Sequence, residues 1–188
     1  MSSTVLVMIQ KGPKIWTPLV WKRILVRKSL DEICHYLELE IPVSERSKIH
    51  KHDRLSVLFE NPYIKDSVPN IPHSYGKRLV TTVLVDELSD TTDTASKFIT
   101  VVGRSPARDI IDSTWSGRES GTLFNVIKRI AGKFDDIPVA QFPDDGIDHT
   151  ENITSFSFEN ESPWTKMMNE ASNQGYIFTS SEIGGLYL

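Results

Sequence analysis

The amino-acid sequence predicts an α+β protein. An antiparallel β-barrel-like domain is expected over residues 1–103, followed by a small helix-plus-β-hairpin domain over residues 104–188. Three observations carry that expectation. The first half holds short runs of β-branched and large apolar residues, broken at intervals by turn-forming residues, the pattern of a small barrel or sandwich. Beyond Gly103 the apolar residues recur at spacings of three and four, the period of an amphipathic helix. Two Ser-Pro pairs, Ser105-Pro106 and Ser162-Pro163, stand where such helices begin.

In chain order, Val5–Gln10 and Ile15-Trp16 flank Lys11-Gly12-Pro13-Lys14, a turn between two strands. Val20–Arg27 mixes β-branched and basic residues and reads as a further strand, and Leu30–Cys34 as one helical turn. Tyr36–Ile41 alternates, as a half-buried strand must; Arg54–Glu60 alternates less cleanly but carries Leu55, Val57, Leu58 and Phe59. Prolines and polar residues make Asn61–Tyr75 an extended loop or insertion. Leu79–Leu88 and Lys97–Val102 are two more strands, separated by the polar Ser89–Thr94. The second ends at a Gly103-Arg104 corner, where glycine permits a sharp exit. Ser105 then caps a short helix whose first turn carries Asp109 and Asp112, favourably placed for the helix dipole.

Leu123, Phe124, Ile127, Ile130, Ala131 and Phe134 make Thr122–Lys133 an amphipathic helix. Pro163–Asn173 is another, with Trp164, Met167, Met168 and Ala171 as its apolar stripe and Gly175 as a left-handed cap. Tyr176–Thr179 is a strand, Glu182–Gly185 a turn, and Leu186–Leu188 the start of a partner strand.

Composition narrows the function classes. Hydrophobic residues at 39% and charged residues at 24% are ordinary for a globular chain. With 21 basic and 25 acidic residues the net charge is −4, which argues against a specific nucleic-acid binder or an anionic membrane surface as partner. The one basic cluster, Lys22, Arg23, Arg27 and Lys28, divides between the two faces of a strand and reads as exposed strand sooner than as a DNA contact. Cys34 is the only cysteine, so no internal disulfide forms, and synthesis in a reducing host cytoplasm is expected. The apolar run Val5–Ile9 is too short for a signal sequence or a membrane anchor.

Each candidate for chemistry has a plainer reading. Asp109 and Asp112, Asp135-Asp136 and Asp144-Asp145 are paired carboxylates, but nothing makes them converge across a cleft with split pKa values. His50 and His52 could share a strand face as a metal pair, with only Asp53 near; metal sites need three or four ligands, so a polar strand end is the better reading. His35, His73 and His149 are scattered, and Asp148-His149 looks like a solvated turn. Cys34 beside His35 is no dyad, because strand neighbours point to opposite faces; a small buried cysteine is expected. No nucleophile elbow and no glycine-rich phosphate loop occurs, and Gly184-Gly185 is only a turn. The Trp164–Met168 stripe is expected to pack on a neighbouring sheet; Trp16, Trp21 and Trp115 are not placed inside or outside. No catalytic, cofactor-binding or metal-ligating residue is therefore assigned, and no enzyme activity is expected.

The order of parts has a further meaning. A β-rich region ends in V-V-G-R-S-P-A-R-D-I-I-D (101–112), followed by G-T-L-F-N-V-I-K-R-I-A-G-K-F (121–134) and D-I-P-V (136–139). Then come D-H-T-E-N-I-T-S-F-S-F-E-N-E-S-P-W (148–164) and N-Q-G-Y-I-F-T-S-S-E-I-G-G-L-Y-L (173–188). This series resembles the Mu-type baseplate hub proteins of contractile phage tails, which are related to the T-even hub and to the base of type VI secretion spikes. The match is specific over residues 97–188; earlier, V-L-V-M-I-Q-K-G-P-K-I-W (5–16) and W-K-R-I-L-V-R-K-S-L-D-E-I-C-H-Y-L-E-L-E (21–40) fit in pattern, and 61–75 departs from it.

The resemblance implies that Gly103, Arg104, Asp109 and Asp112 form a structural corner. It implies a virion protein of the tail baseplate, a homotrimer in its full-length form that joins the tail tube protein to the central spike protein while DNA passes through the ring. It implies a protein about twice this length, of which this chain corresponds to the first half and ends within a hairpin, as a truncated piece or as one chain of a divided hub. The alternatives weighed beside it are a cell-wall-binding or peptidoglycan-degrading tail module and a general binding module that uses its sheet edge.

Overall fold

The computed structural model describes residues 5–12, 15–28, 34–61, 63–68, 71, 74–89, 97–134, 137–141, 148, 150, 152–181 and 186–188. The chain divides into two compact units, Met1–Ser105 and Pro106–Leu188. The expected Pro13-Lys14 turn, the 30–33 helical turn, the 90–94 linker and the 182–185 turn lie outside the described residues.

The first unit is one antiparallel sheet of β1 (Val5–Gly12), β2 (Ile15–Leu19), β3 (Arg23–Arg27), β4 (Tyr36–Pro42), β5 (Arg54–Glu60), β6 (Lys77–Ser89) and β7 (Phe98–Arg104). A 3₁₀ turn, Val43–Lys48, follows β4. The strand order is β2-β1-β5-β6-β7-β4-β3. Alternation decides what faces inward. On β4, Leu37, Leu39 and Ile41 are fully buried, while Tyr36, Glu38 and Glu40 are half-buried. Register carries the same face across the neighbours: Leu39 lies opposite Val101 and Ile41 opposite Ile99, and Val7 and Ile9 lie opposite Val57 and Leu55. These residues with Leu19, Ile49, Val83 and Val85 form one apolar interior.

The sheet has hydrogen-bonding ends at β2 and β3, yet it cannot be flat. Six inter-strand steps of ~4.8 Å would hold its edge strands about 29 Å apart. Leu19 ends β2 and Arg23 begins β3, and four residue steps reach only about 14 Å. The sheet must therefore curl until its edges approach. The Val20 N–H donating to Glu45 Oε2 at 3.2 Å and the Lys28 ammonium donating to the Val80 carbonyl at 2.6 Å are the expected cross-links of such a curled sheet. The barrel-like expectation thus takes the form of a curled but unsealed sheet.

A second small apolar cluster lies on the sheet's other face. Met8, Leu58, Ile71 and Leu79 are buried together, with Leu6, Trp16 and Val68 against them. Ile71 and Val68 belong to the proline-rich excursion, and these two residues cover that face of the sheet. The excursion's turn is tied by the Ser74 hydroxyl, which donates to the Ile71 carbonyl at 2.6 Å and accepts from the Val68 N–H at 2.8 Å. This cover is why β5 alternates poorly: Leu55, Ser56, Val57 and Leu58 are all buried, because both faces of the strand are covered.

The second unit contains α1 (Arg108–Asp112), β8 (Trp115–Thr122), α2 (Leu123–Ala131), β9 (Val139–Ala140), β10 (Ile153–Glu161), α3 (Pro163–Asn173), β11 (Thr179–Ser180) and β12 (Leu186–Tyr187). β8 pairs antiparallel with β10. β12 pairs antiparallel with β11 and parallel with β9, so the terminal hairpin is present and D-I-P-V supplies its third strand. α3 has the expected bounds and ends at Gly175, whose φ of 83° is the left-handed value a side chain would oppose. Trp164, Met167 and Ala171 are buried and Met168 half-buried; the Trp164 ring stacks on Phe178 at 4.7 Å between centroids. The stripe is core, as expected, but it meets Phe178 and the other helices more than a sheet.

Candidate functional site

The Gly103-Arg104 corner is built differently from the sequence expectation. β7 continues through Arg104, and Gly103 has no positive φ among the described residues. Its reason is close approach: a Cβ there would stand 2.8 Å from the Leu84 carbonyl oxygen and 2.9 Å from Val83 Cγ2. The neighbouring β6 shifts register between Val85 and Glu87, which leaves Asp86 out of the ladder. The Arg104 Nε donates to that Asp86 carboxylate at 2.8 Å.

Ser105 does not cap α1. Its N–H donates to the His35 carbonyl at 2.9 Å, its hydroxyl is buried without a hydrogen-bond partner, and the helix starts at Arg108 after Ala107 in helical conformation. Asp109 lies in the first turn, paired with the buried Arg108 at 3.3 Å. Asp112 is the last helical residue, so a favourable dipole placement holds for Asp109 alone.

The other candidates are separated. His50 and His52 lie in one tight turn just before β5; His52 is inside it with φ 70°, and the Asp53 carboxylate accepts from the His50 N–H at 2.7 Å and lies 3.6 Å from its Nδ1. His35 is buried, with Nδ1 3.0 Å from the Thr81 hydroxyl. Cys34 is half-buried, not buried, and lies outside any strand. Among the described residues no three of His, Cys, Asp and Glu gather as a metal set, and no helix is long and apolar enough to cross a membrane. Asp135-Asp136, Asp144-Asp145, His73, His149 and Gly184-Gly185 lie outside the described residues.

The basic cluster bonds to its own chain. Lys22 and Arg23 reach Glu40 at 3.8 and 3.4 Å, Lys22 sits over the Phe98 ring at 3.9 Å, and Arg27 lies 5.8 Å from the Tyr36 ring centroid. Arg23 and Arg27 share the exposed face, as alternation requires.

Three carboxylates organise more structure than the sequence reading foresaw. Glu45 is buried after β4; the Lys48 ammonium at 2.7 Å, with the Val20 N–H, holds its carboxyl below the ordinary value of 4.5 against the opposing effect of burial. Glu119 on β8 accepts from Lys133 at 2.6 Å and Arg129 at 2.8 Å, and these donors lower its pKa likewise. Lys133 also covers the Trp115 ring at 4.1 Å, and Trp115 packs on Phe158 at 5.0 Å. Gly117 leaves the room: a Cβ there would stand 2.4 Å from the Trp115 ring.

Asp148 is the third, and it is no solvated turn. Thr122 donates to it, Asn125 Nδ2 donates at 2.8 Å and the Thr150 N–H at 2.9 Å. The buried Thr150 hydroxyl in turn accepts from the Phe124 N–H at 3.1 Å. The first turn of α2 is thus capped by a residue far along the chain, while Thr122 at its N-cap position makes no side-chain cap bond. Ser162 likewise makes no cap bond; its hydroxyl donates to the Ile110 carbonyl at 3.1 Å, tying α3 to α1.

These polar groups bond to structural partners, not across a shared cleft. Among the described residues of the first unit, the exposed large hydrophobic side chains are Phe59, Tyr63 and Tyr75, 41, 92 and 67% exposed, together with Ile15, Val20 and Val43. Phe59 is the last but one residue of β5, and the Asn61 N–H donates to the Gly76 carbonyl at 2.9 Å, so the three aromatic residues belong to the two ends of the β5–β6 excursion.

Neither a protein-family model nor a curated protein matches the chain. Its fold is similar to that of solved tail proteins. The 43 kDa tail protein of prophage MuSo2 from Shewanella oneidensis superposes with a TM-score of 0.72 at 18% identity, over 99% of this chain and 53% of that one. A tail protein from Neisseria meningitidis MC58 superposes with a TM-score of 0.71 at 13% identity, over 100% of this chain and 50% of that one. The chain spans about half the length of these structures.

Proposed function

We propose that this chain is a structural part of a phage or phage-like contractile tail, working in the baseplate hub between tail tube and central spike. The observation that carries the reading is the likeness to two tail proteins over essentially the whole chain, through both units and not through a common sheet alone. The side-chain chemistry supports it. The polar side chains of Glu45, Asp86, Glu119 and Asp148 tie backbone and neighbouring elements together, while Phe59, Tyr63 and Tyr75 face solvent, the residue types that anchor protein interfaces. In this reading the full-length protein is a homotrimeric virion component, made in the host cytoplasm and without catalytic activity. Its partners are the tail tube and spike proteins, and DNA passes through its ring without specific contacts.

The test is the mass of the full-length protein by light scattering, with and without tube and spike subunits. A trimer that binds one or both is expected. A stable monomer binding neither overturns the hub reading, and loss of turbidity from purified cell walls would favour the cell-wall module instead.

A further inference from the structure

The β8–β10 ribbon has two edges, and each is touched by one basic side chain. Arg129 on α2 donates to the Ser120 carbonyl at 2.6 Å, and Lys166 on α3 to the Ser157 carbonyl at 2.5 Å. Backbone groups of an antiparallel strand turn alternately toward and away from the partner. A Ser157 carbonyl that reaches Lys166 is turned away from β8, and so therefore is Ser155, two residues earlier. Among the described residues no strand pairs with that side of β10. Beside it runs an open groove of about 290 Å³, walled by Ser155 and Ser157 on one side and by Lys166, Asn169, Glu170 and Asn173 of α3 on the other.

We propose that this groove binds an extended, uncharged, Ser/Thr/Asn-rich peptide segment of a partner protein, which adds to β10 as a third strand. The outward backbone groups recur every second residue, the repeat of an extended chain. The Lys166 ammonium occupies the place of one incoming N–H, so it blocks the edge until a strand displaces it. Displacement strands no charge, because Lys166 keeps Glu161, 2.5 Å away. The other charge on the wall is Glu170, which accepts from the Gln174 amide at 2.8 Å. Lys166 and Glu170 give the wall one charge of each sign, which is why the segment is uncharged, and the two amides and two hydroxyls along the walls are why it is polar. The proposal does not depend on the tail reading.

The test titrates the isotopically labelled chain with a capped peptide of alternating Thr and Ser/Asn, read by amide chemical shifts. Shifts at Ser155 and Ser157 are expected, lost when the peptide is N-methylated at alternate residues in one register and kept in the other. Lys166→Ala should tighten binding about threefold to tenfold by freeing the Ser157 carbonyl. Ser157→Pro, which removes an N–H turned away from the ladder and so spares the fold, should weaken it about tenfold. Absence of shifts in both the parent chain and Lys166→Ala, or indifference to N-methylation in either register, overturns the proposal. Peptide-independent dimerisation abolished by Ser157→Pro would replace it with a second copy of this chain.

Discussion

Both units bury apolar residues, but they differ in how their elements are joined. In the first, buried Leu37, Leu39, Ile41, Val83 and Val101 fill the inside of one curled sheet, and its register places them. In the second, Ile127, Ile130, Phe158, Trp164 and Met167 are buried as well, and short elements are also tied at their ends by polar side chains: Glu119 to α2, Asp148 and Thr150 to the first turn of α2, Ser162 to α1. Apolar burial scales with area and has no direction, whereas a cap or ion pair acts at one place. Loss of a buried apolar group should therefore be felt across the sheet of the first unit, and loss of a cap or ion pair in the second should stay local.

Leu39→Ala is the largest expected breach. It empties a fully buried site on β4 and should cost about 2–5 kcal/mol, measured by urea unfolding, with hydrogen-exchange protection lost across β4 and β7 together. Gly103→Ala comes next. Its methyl group meets backbone at 2.8 Å, which should cost about 1–3 kcal/mol; a neutral result by the same measurement would mean that β6 yields freely. Thr150→Val removes the acceptor of the Phe124 N–H and should cost about 0.5–2 kcal/mol, with exchange accelerated in the first turn of α2 and unchanged in the first unit.

The smallest effect sharpens the contrast by pH. The Glu119 carboxyl is held below 4.5 chiefly by Lys133 and then by Arg129. A folded pKa below the unfolded one contributes stability that is complete above about 4.5 and is lost as pH falls through the folded value. Glu45 acts with the same sign in the first unit, so the comparison must be between Glu119→Gln and the parent chain. The variant should lose less stability on acidification, and only in the second unit; equal slopes in thermal melts from pH 6 to 3 would remove Glu119 from the account.

Legibility followed how local each signal was. Six of the first unit's strands, and the third helix with its Gly175 cap, could be read from apolar period and turn residues, because those patterns act over a few neighbours. Ile15-Trp16 was a weaker sign of β2, which extends to Leu19. β8 could not be read: Trp-Ser-Gly-Arg-Glu-Ser-Gly-Thr has one large apolar residue and two glycines, and its strand state depends on β10 and on Trp115 filling the space over Gly117. β10 carried a readable signal that the sequence reading passed over, Phe156 and Phe158 alternating with Ser155 and Ser157. Asp148 looked like a loop acid because its partners Thr122 and Asn125 lie far back in the chain.

The amino-acid order on its own established the α+β class, the change of period after Gly103, and the absence of any recognisable catalytic motif, since hydrophobic period and residue type are properties of neighbours. Tertiary structure alone decided that the sheet curls between β2 and β3, that Gly103 is needed for room and not for φ, and that Thr150 caps a distant helix. Each of those depends on residues brought together across many intervening positions, and no local pattern encodes a distance between them.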